Sequence, residues 1–114
     1  MPRFKFFPLS YDVAGRRVVV AGHGEQALQK LRLLVRSQAR LTLVAEAPSE
    51  GLANFARVSG IAWHRGTLSA DVLEGAALLF IATEDEAEDA RLAALGRAAG
   101  LPVVVAVNEA KRTA

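Results

Sequence analysis

The chain has 114 residues, of which 52% are hydrophobic and 23% are charged, a balance that excludes a disordered chain and suits one compact domain. The formal net charge is +2, but the basic residues are scattered without interleaved aromatic residues, so binding to nucleic acid is not expected. No apolar run approaches the roughly 18 residues of a membrane span, and residues 1–10 lack the apolar core of a signal peptide, which predicts a cytoplasmic location.

Strand-like apolar runs alternate with helical patterns from residue 17 onward. Strands are predicted at 17–21, 41–45, 61–64, 76–82 and 103–107. Helices are predicted at about 25–37, at 50–58 and at 85–99, and a brief helical turn is predicted between Ser69 and Leu73. Ser49, Ser69 and Thr83 are the predicted N-caps, and Gly60 and Gly100 end two of the helices.

This alternation predicts an α/β fold, a Rossmann-like doubly wound parallel sheet of about five strands in the order 3-2-1-4-5. We expect a single domain over residues 1–114, with an N-terminal segment at 1–15 and a polar tail at 108–114. Ligands of such sheets bind at the carboxyl ends of strands one and four.

The junction between the first strand and the first helix carries the most specific motif. Residues 18–27 read Val-Val-Val-Ala-Gly-His-Gly-Glu-Gln-Ala, a strand that runs into Gly-x-Gly-x-x-Ala. Gly22 allows a sharp turn, Gly24 allows the backbone to approach phosphate closely, and Ala27 is small enough for tight packing of helix and strand. The pattern predicts that a dinucleotide diphosphate binds at the start of the helix, although an ordinary strand–turn–helix uses glycines in the same way.

Glu46 follows the second strand at about the distance where a Rossmann acid meets the adenosine ribose. Its carboxylate would repel a phosphorylated ribose, and residues 45–51 contain no Arg or Lys to receive one. NAD is therefore the predicted cofactor. The alternative is that Glu46 is a solvated loop residue.

Metal and thiol chemistry are not predicted. The sequence contains no cysteine, which excludes disulfides and thiolate ligands. His23 and His64 have no partner at ligand spacing.

Several separate stretches resemble the dehydrogenase domain of siroheme synthase, the family of precorrin-2 dehydrogenases and sirohydrochlorin ferrochelatases. They are Phe7-Pro8-Leu9 and residues 15–20, 30–34, 39–45, 61–63, 73–76, 81–83 and 101–103. The resemblance implies NAD-dependent oxidation of precorrin-2 to sirohydrochlorin and, in bifunctional members, insertion of ferrous iron.

The resemblance also implies roles for individual residues near the cofactor. Gly22, Gly24, Glu25 and Gln26 match the pyrophosphate loop, which also contains His23. Glu46 and Ala47 match the positions beyond the second strand, and Thr83 matches the residue near nicotinamide.

The family's catalytic positions are only partly present. Its Val-Asn-Val-x-Asp motif on the last strand carries an aspartate that serves in proton transfer, and the corresponding residues here are Val104 and Val107. Valine cannot transfer a proton, so the remaining catalytic candidates are Asn108, Glu84 and Asp85. The acidic run at 84–89 also suits a solvated helix start, which is the favoured interpretation of Glu84 and Asp85.

Two functions therefore stay open. The first is a precorrin-2 dehydrogenase-like enzyme with a tetrapyrrole substrate and doubtful ferrochelatase activity. The second is a non-catalytic NAD-binding sensor or subunit derived from the same family. Because a large tetrapyrrole needs more surface than one Rossmann unit offers, we expect a homodimer, a companion subunit or a further part of a longer protein to complete the site.

Overall fold

A computed structural model describes residues 12–106. The strands are β1 (Arg17–Gly22), β2 (Arg40–Val44), β3 (Ala62–His64), β4 (Ala76–Ala82) and β5 (Val103–Val105). The helices are α1 (Glu25–Leu34), α2 (Glu50–Val58), α3 (Ala70–Leu73) and α4 (Glu86–Ala98).

The five strands form one parallel sheet in the order β3-β2-β1-β4-β5. This confirms the predicted Rossmann-like fold and strand order. The order reverses between β1 and β4, so the carboxyl ends of these neighbouring strands open the crevice where such sheets bind ligands.

The core lies on both faces of the sheet, because alternate residues of a strand point to opposite sides. On one face Val20 of β1 packs with residues of α1 and α2, including Leu28, Leu31 and Leu52. On the other face Val19 packs with residues that include Leu79, Leu73 of α3 and Leu92 of α4. The nearly continuous apolar sequence of β4 follows from this coverage.

The end of α1 differs from the expectation. The helix ends at Leu34 rather than near Ser37, because the amides of Arg36 and Ser37 donate to carbonyls three residues back. The Ser37 hydroxyl also donates to the Leu34 carbonyl at 2.6 Å. These bonds satisfy the last helical carbonyls in a tightened turn.

The cap of α4 was also predicted wrongly. Asp85, not Thr83, is the N-cap, and its carboxylate accepts hydrogen bonds from the amides of Ala87 and Glu88 at 3.0 and 3.1 Å. Ser49 and Ser69 cap α2 and α3 as predicted. Residue 107, the predicted end of the last strand, lies outside the described residues, as does the polar tail at 108–114.

Candidate functional site

A cleft of about 480 Å³ opens at the carboxyl ends of β1, β2 and β4. Five residues predicted for the cofactor site line it, namely Gly22, His23, Glu46, Ala47 and Thr83. Gly24, Glu25 and Gln26 lie beside it, at the N-cap and in the first turn of α1. The loop after β3 and the first turns of α4 contribute lining residues that the sequence analysis did not identify, namely Gly66, Thr67, Leu68, Glu88, Arg91 and Leu92.

Gly22 occupies a position where a side chain does not fit. A Cβ added there would collide with the carbonyl oxygen of Ala82 and would lie 2.9 Å from the Cβ of Ala27. β1, β4 and α1 therefore meet at this point only because residues 22 and 27 are small. This is the close helix–strand packing that the glycine motif requires.

Gly24 is the N-cap of α1 and has an extended backbone, with φ of −129° and ψ of −153°. No side chain caps the helix. The start of α1 thus presents backbone amides and the positive end of the helix dipole toward the cleft edge. The absence of a Cβ at this position leaves a space beside the amides where an anionic group can approach, and the Glu84 carboxylate lies in that space.

Two loops of the site are joined through the backbone. The Ser49 amide donates to the His23 carbonyl at 2.7 Å, so the glycine turn is fixed to the start of α2. Glu46 and Ala47 lie between β2 and this anchor, and both are exposed. At the base of the same loop, Trp63 Nε1 donates to the Ala45 carbonyl at 3.0 Å. Glu46 is therefore held on the same side of the cleft as the glycine turn.

Thr83 and Asp89 form a buried polar pair at the end of β4. Asp89 Oδ1 accepts the Thr83 amide at 3.0 Å and the Thr83 hydroxyl at 2.5 Å. Asp89 is only 9% exposed and Thr83 only 4%. The sequence analysis interpreted most of the acidic run at 84–89 as a solvated helix start, and Asp89 departs from that interpretation because the first turn of α4 places its carboxylate against Thr83.

The two acidic candidates for catalysis have different surroundings. Asp85 uses its carboxylate to cap α4, which agrees with the helix-start interpretation. Glu84 has a left-handed backbone with φ of 66°, and its carboxylate lies against Gly24, where it occupies the position that a Cβ would take. Asn108 and Val107 lie outside the described residues, so the role considered for Asn108 stays a prediction.

Arg91 and Glu88 form an ion pair on the α4 wall of the cleft. Arg91 Nε donates to Glu88 Oε2 at 3.1 Å, and Nη2 contacts Oε1. The hydrogen bond from Arg91 lowers the pKa of the Glu88 carboxyl. The arrangement places a guanidinium within reach of an anionic ligand. Its spacing of three residues is visible in the sequence, but its position at the cleft depends on the docking of α4.

The described residues contain no group of three or more His, Asp or Glu side chains suited to holding a metal ion. Within the same residues, no helix is long and apolar enough to cross a membrane.

Comparison with known proteins gives the family. A family model described as "Putative NAD(P)-binding" matches residues 9–113. This chain belongs to the siroheme synthase N-terminal domain family. Siroheme synthase of Ectopseudomonas mendocina is 45% identical over 101 residues, 89% of this chain and 21% of the relative. Siroheme synthase of Nitrosomonas europaea is 36% identical over 104 residues, 90% of this chain and 22% of the relative.

The chain thus spans about a fifth of the length of these curated relatives. Among solved structures, "SirC, precorrin-2 dehydrogenase" aligns with a TM-score of 0.66 over 90% of this chain and 49% of that chain. The identity to it is 19%, so this likeness concerns the fold. The siroheme synthase-type domain described here therefore has the fold and the sequence of an NAD(P)-binding unit.

Proposed function

We propose that this domain binds NAD in the cleft at the ends of β1, β2 and β4 and serves in the oxidation of precorrin-2 to sirohydrochlorin. The observation that carries the proposal is the glycine junction. Gly22 packs where no Cβ fits, and Gly24, which also has no Cβ, is the N-cap of α1 beside the cleft. Both features suit the close approach of a diphosphate. The siroheme synthase relatives and the solved precorrin-2 dehydrogenase support this choice of substrate.

The residues present fit a dinucleotide in three places. The α1 N-terminus would hold the diphosphate, Glu46 would accept hydrogen bonds from the adenosine ribose, and Thr83 would lie near the nicotinamide end. Bound NAD would supply the hydride acceptor for oxidation of the tetrapyrrole. The Thr83–Asp89 pair holds the backbone at the end of β4 through two hydrogen bonds, which would preorganise this part of the cleft for a ligand.

The chain's own contribution to the chemistry is mainly positioning. Asp85 is engaged in capping α4, and Glu88 on the wall of the cleft is paired with Arg91. Loss of the family aspartate at Val107 removes the expected proton-transfer group. We therefore assign the rate enhancement to holding cofactor and substrate together. The Arg91 guanidinium faces the same cleft and suits a carboxylate of the substrate.

Binding is tested by titrating the protein with NAD in a calorimeter. Gly24→Val should weaken binding at least about tenfold, because the branched side chain fills the approach to the α1 amides. Gly51→Val is the matched control, since a Cβ at Gly51 in α2 meets only Leu28 Cδ2 at 3.7 Å. Equal affinities of the two folded variants would refute the proposed cofactor site.

Cofactor choice is tested at Glu46. The wild type should prefer NAD to NADP, and Glu46→Ala should reduce that preference by about tenfold, since a hydrogen bond to a charged group contributes about 1.5 kcal/mol. The matched control is Glu50→Ala in the first turn of α2. An unchanged ratio of affinities in Glu46→Ala would show that Glu46 is the solvated loop residue of the alternative interpretation.

The non-catalytic alternative is favoured by a specific observation, the valine at position 107. A dehydrogenase produces NADH when precorrin-2 and NAD are supplied together. A sensor or subunit binds NAD with unchanged affinity in the presence of the tetrapyrrole and produces no NADH. The measurement needs protein whose NAD binding has been verified in the same preparation.

A further inference from the structure

Glu84 combines an unfavourable backbone with a contact to the glycine motif. It is the one non-glycine residue with positive φ in the part of the chain that the structure describes. A left-handed conformation is costly for a residue with Cβ. It persists here because both neighbours are fixed, Thr83 by Asp89 and Asp85 by its role as the N-cap of α4.

The Glu84 side chain reaches from the β4–α4 loop to the β1–α1 loop. Its Oε2 stands in the space that a Cβ of Gly24 would fill, and its Cδ lies 3.4 Å from that Cβ position. A glycine at this point of the motif leaves the surface open for a phosphate. In this chain the Glu84 carboxylate lies in that space. The diphosphate of a bound dinucleotide would have to approach the same surface.

We propose that Glu84 lowers the affinity of the domain for its dinucleotide. The Glu84 carboxylate and the diphosphate are both anionic and are directed at the same surface beside Gly24. Binding therefore requires the carboxylate to move away, and this is feasible because Glu84 is exposed. The inference rests on the proposed NAD site and adds to it the residue that sets how tightly the diphosphate is held.

This role differs from the catalytic role considered for Glu84. A proton-transfer group must reach the substrate, whereas the observed carboxylate lies over the glycine turn at the diphosphate side of the cleft. A residue that instead hydrogen-bonded to the cofactor would strengthen binding. The two roles therefore predict opposite effects when the charge is removed.

The test is Glu84→Gln, which keeps the size of the side chain and removes its charge. The dissociation constants of NAD and of ADP-ribose, measured by calorimetry, should both fall by about fivefold, the equivalent of the repulsion between two partly exposed like charges. ADP-ribose carries the diphosphate without nicotinamide, so an equal gain places the effect at the diphosphate. Because salt screens exposed charges, the gain should shrink as the ionic strength is raised.

Glu74→Gln is the matched control, since it removes the same charge at the turn after α3, before β4 and away from the cleft. Its affinities should equal those of the wild type. If Glu84→Gln binds NAD as the wild type does, or more weakly, the inference is overturned while the proposed function stands. If Glu84→Gln binds NAD more tightly than the wild type but binds ADP-ribose with unchanged affinity, the inference is also overturned. If neither the wild type nor Glu84→Gln binds NAD, the proposed function fails together with the inference.

Discussion

The Asp89 carboxylate is the buried polar group on which the end of β4 depends most directly. Asp89→Ala removes the acceptor of two hydrogen bonds from Thr83, one from its amide and one from its hydroxyl. The hydroxyl can turn to the Asp85 carbonyl, which is 3.1 Å away, but the buried amide of Thr83 loses its partner. An unsatisfied buried donor costs about 1–3 kcal/mol, and a lost hydrogen bond to a charged group costs a similar amount.

We therefore expect Asp89→Ala to lower the free energy of unfolding by about 2–4 kcal/mol. With an unfolding entropy of about 0.2 kcal/mol/K for a domain of about 100 residues, the Tm should fall by about 10–20 °C. Asp89→Asn keeps an acceptor oxygen, so its free energy of unfolding should fall by about half as much as that of Asp89→Ala.

Urea unfolding followed by circular dichroism measures these differences. Asp71→Ala serves as the control, because Asp71 lies exposed in the first turn of α3. This substitution should change the free energy of unfolding by no more than about 0.5 kcal/mol. If Asp89→Ala were as stable as Asp71→Ala, the Thr83–Asp89 pair would contribute nothing to stability and the reasoning would be refuted.

Two further predictions concern helix packing and an ion pair. In Gly96→Ala the new Cβ would lie 2.7 Å from Leu79 Cδ2 and 2.8 Å from Val103 Cγ2. Such overpacking should destabilise the fold by about 1–3 kcal/mol. This cost should cancel or exceed the stabilisation of about 1 kcal/mol that alanine gives a helix relative to glycine. Gly51→Ala meets no such contact and should be the more stable variant in thermal unfolding, and the reverse order would contradict the packing argument. The pKa of the Glu88 carboxyl, measured by carbon-detected NMR titration, should lie below that of a free glutamate and rise in Arg91→Gln, because the guanidinium stabilises the charged form. Since the pKa is lowered in the folded state, the associated stability is present above the unfolded-state pKa and disappears as the pH falls through the folded-state value. An unchanged Glu88 titration in Arg91→Gln would exclude this cause.

Local sequence signals predict much of the fold because they reflect local physics. The β-branched run before Gly22 and the apolar run of β4 mark buried parallel strands. Ser49 and Ser69 mark helix starts because their side chains accept amides within the same turn. The glycine junction is likewise a contiguous motif, so its position at the cleft could be predicted.

The parts that were missed depend on contacts between separate elements. Thr83 and Asp85 are both good N-cap residues, and the choice between them is decided by Asp89, which binds Thr83 from one turn into α4. The contact of Glu84 with Gly24 joins residues 60 positions apart in the sequence. No helical or strand periodicity relates two such positions, and only the adjacency of β1 and β4 brings them together.

The hydrogen bond between the Ser49 amide and the His23 carbonyl has a consequence for how such domains diversify. It fixes the end of the loop after β2 to the glycine turn through the backbone, so side-chain changes at the exposed Glu46 and Ala47 leave this bond in place. Selection for a different ligand could therefore act on these two positions while the backbone of the glycine turn stays unchanged.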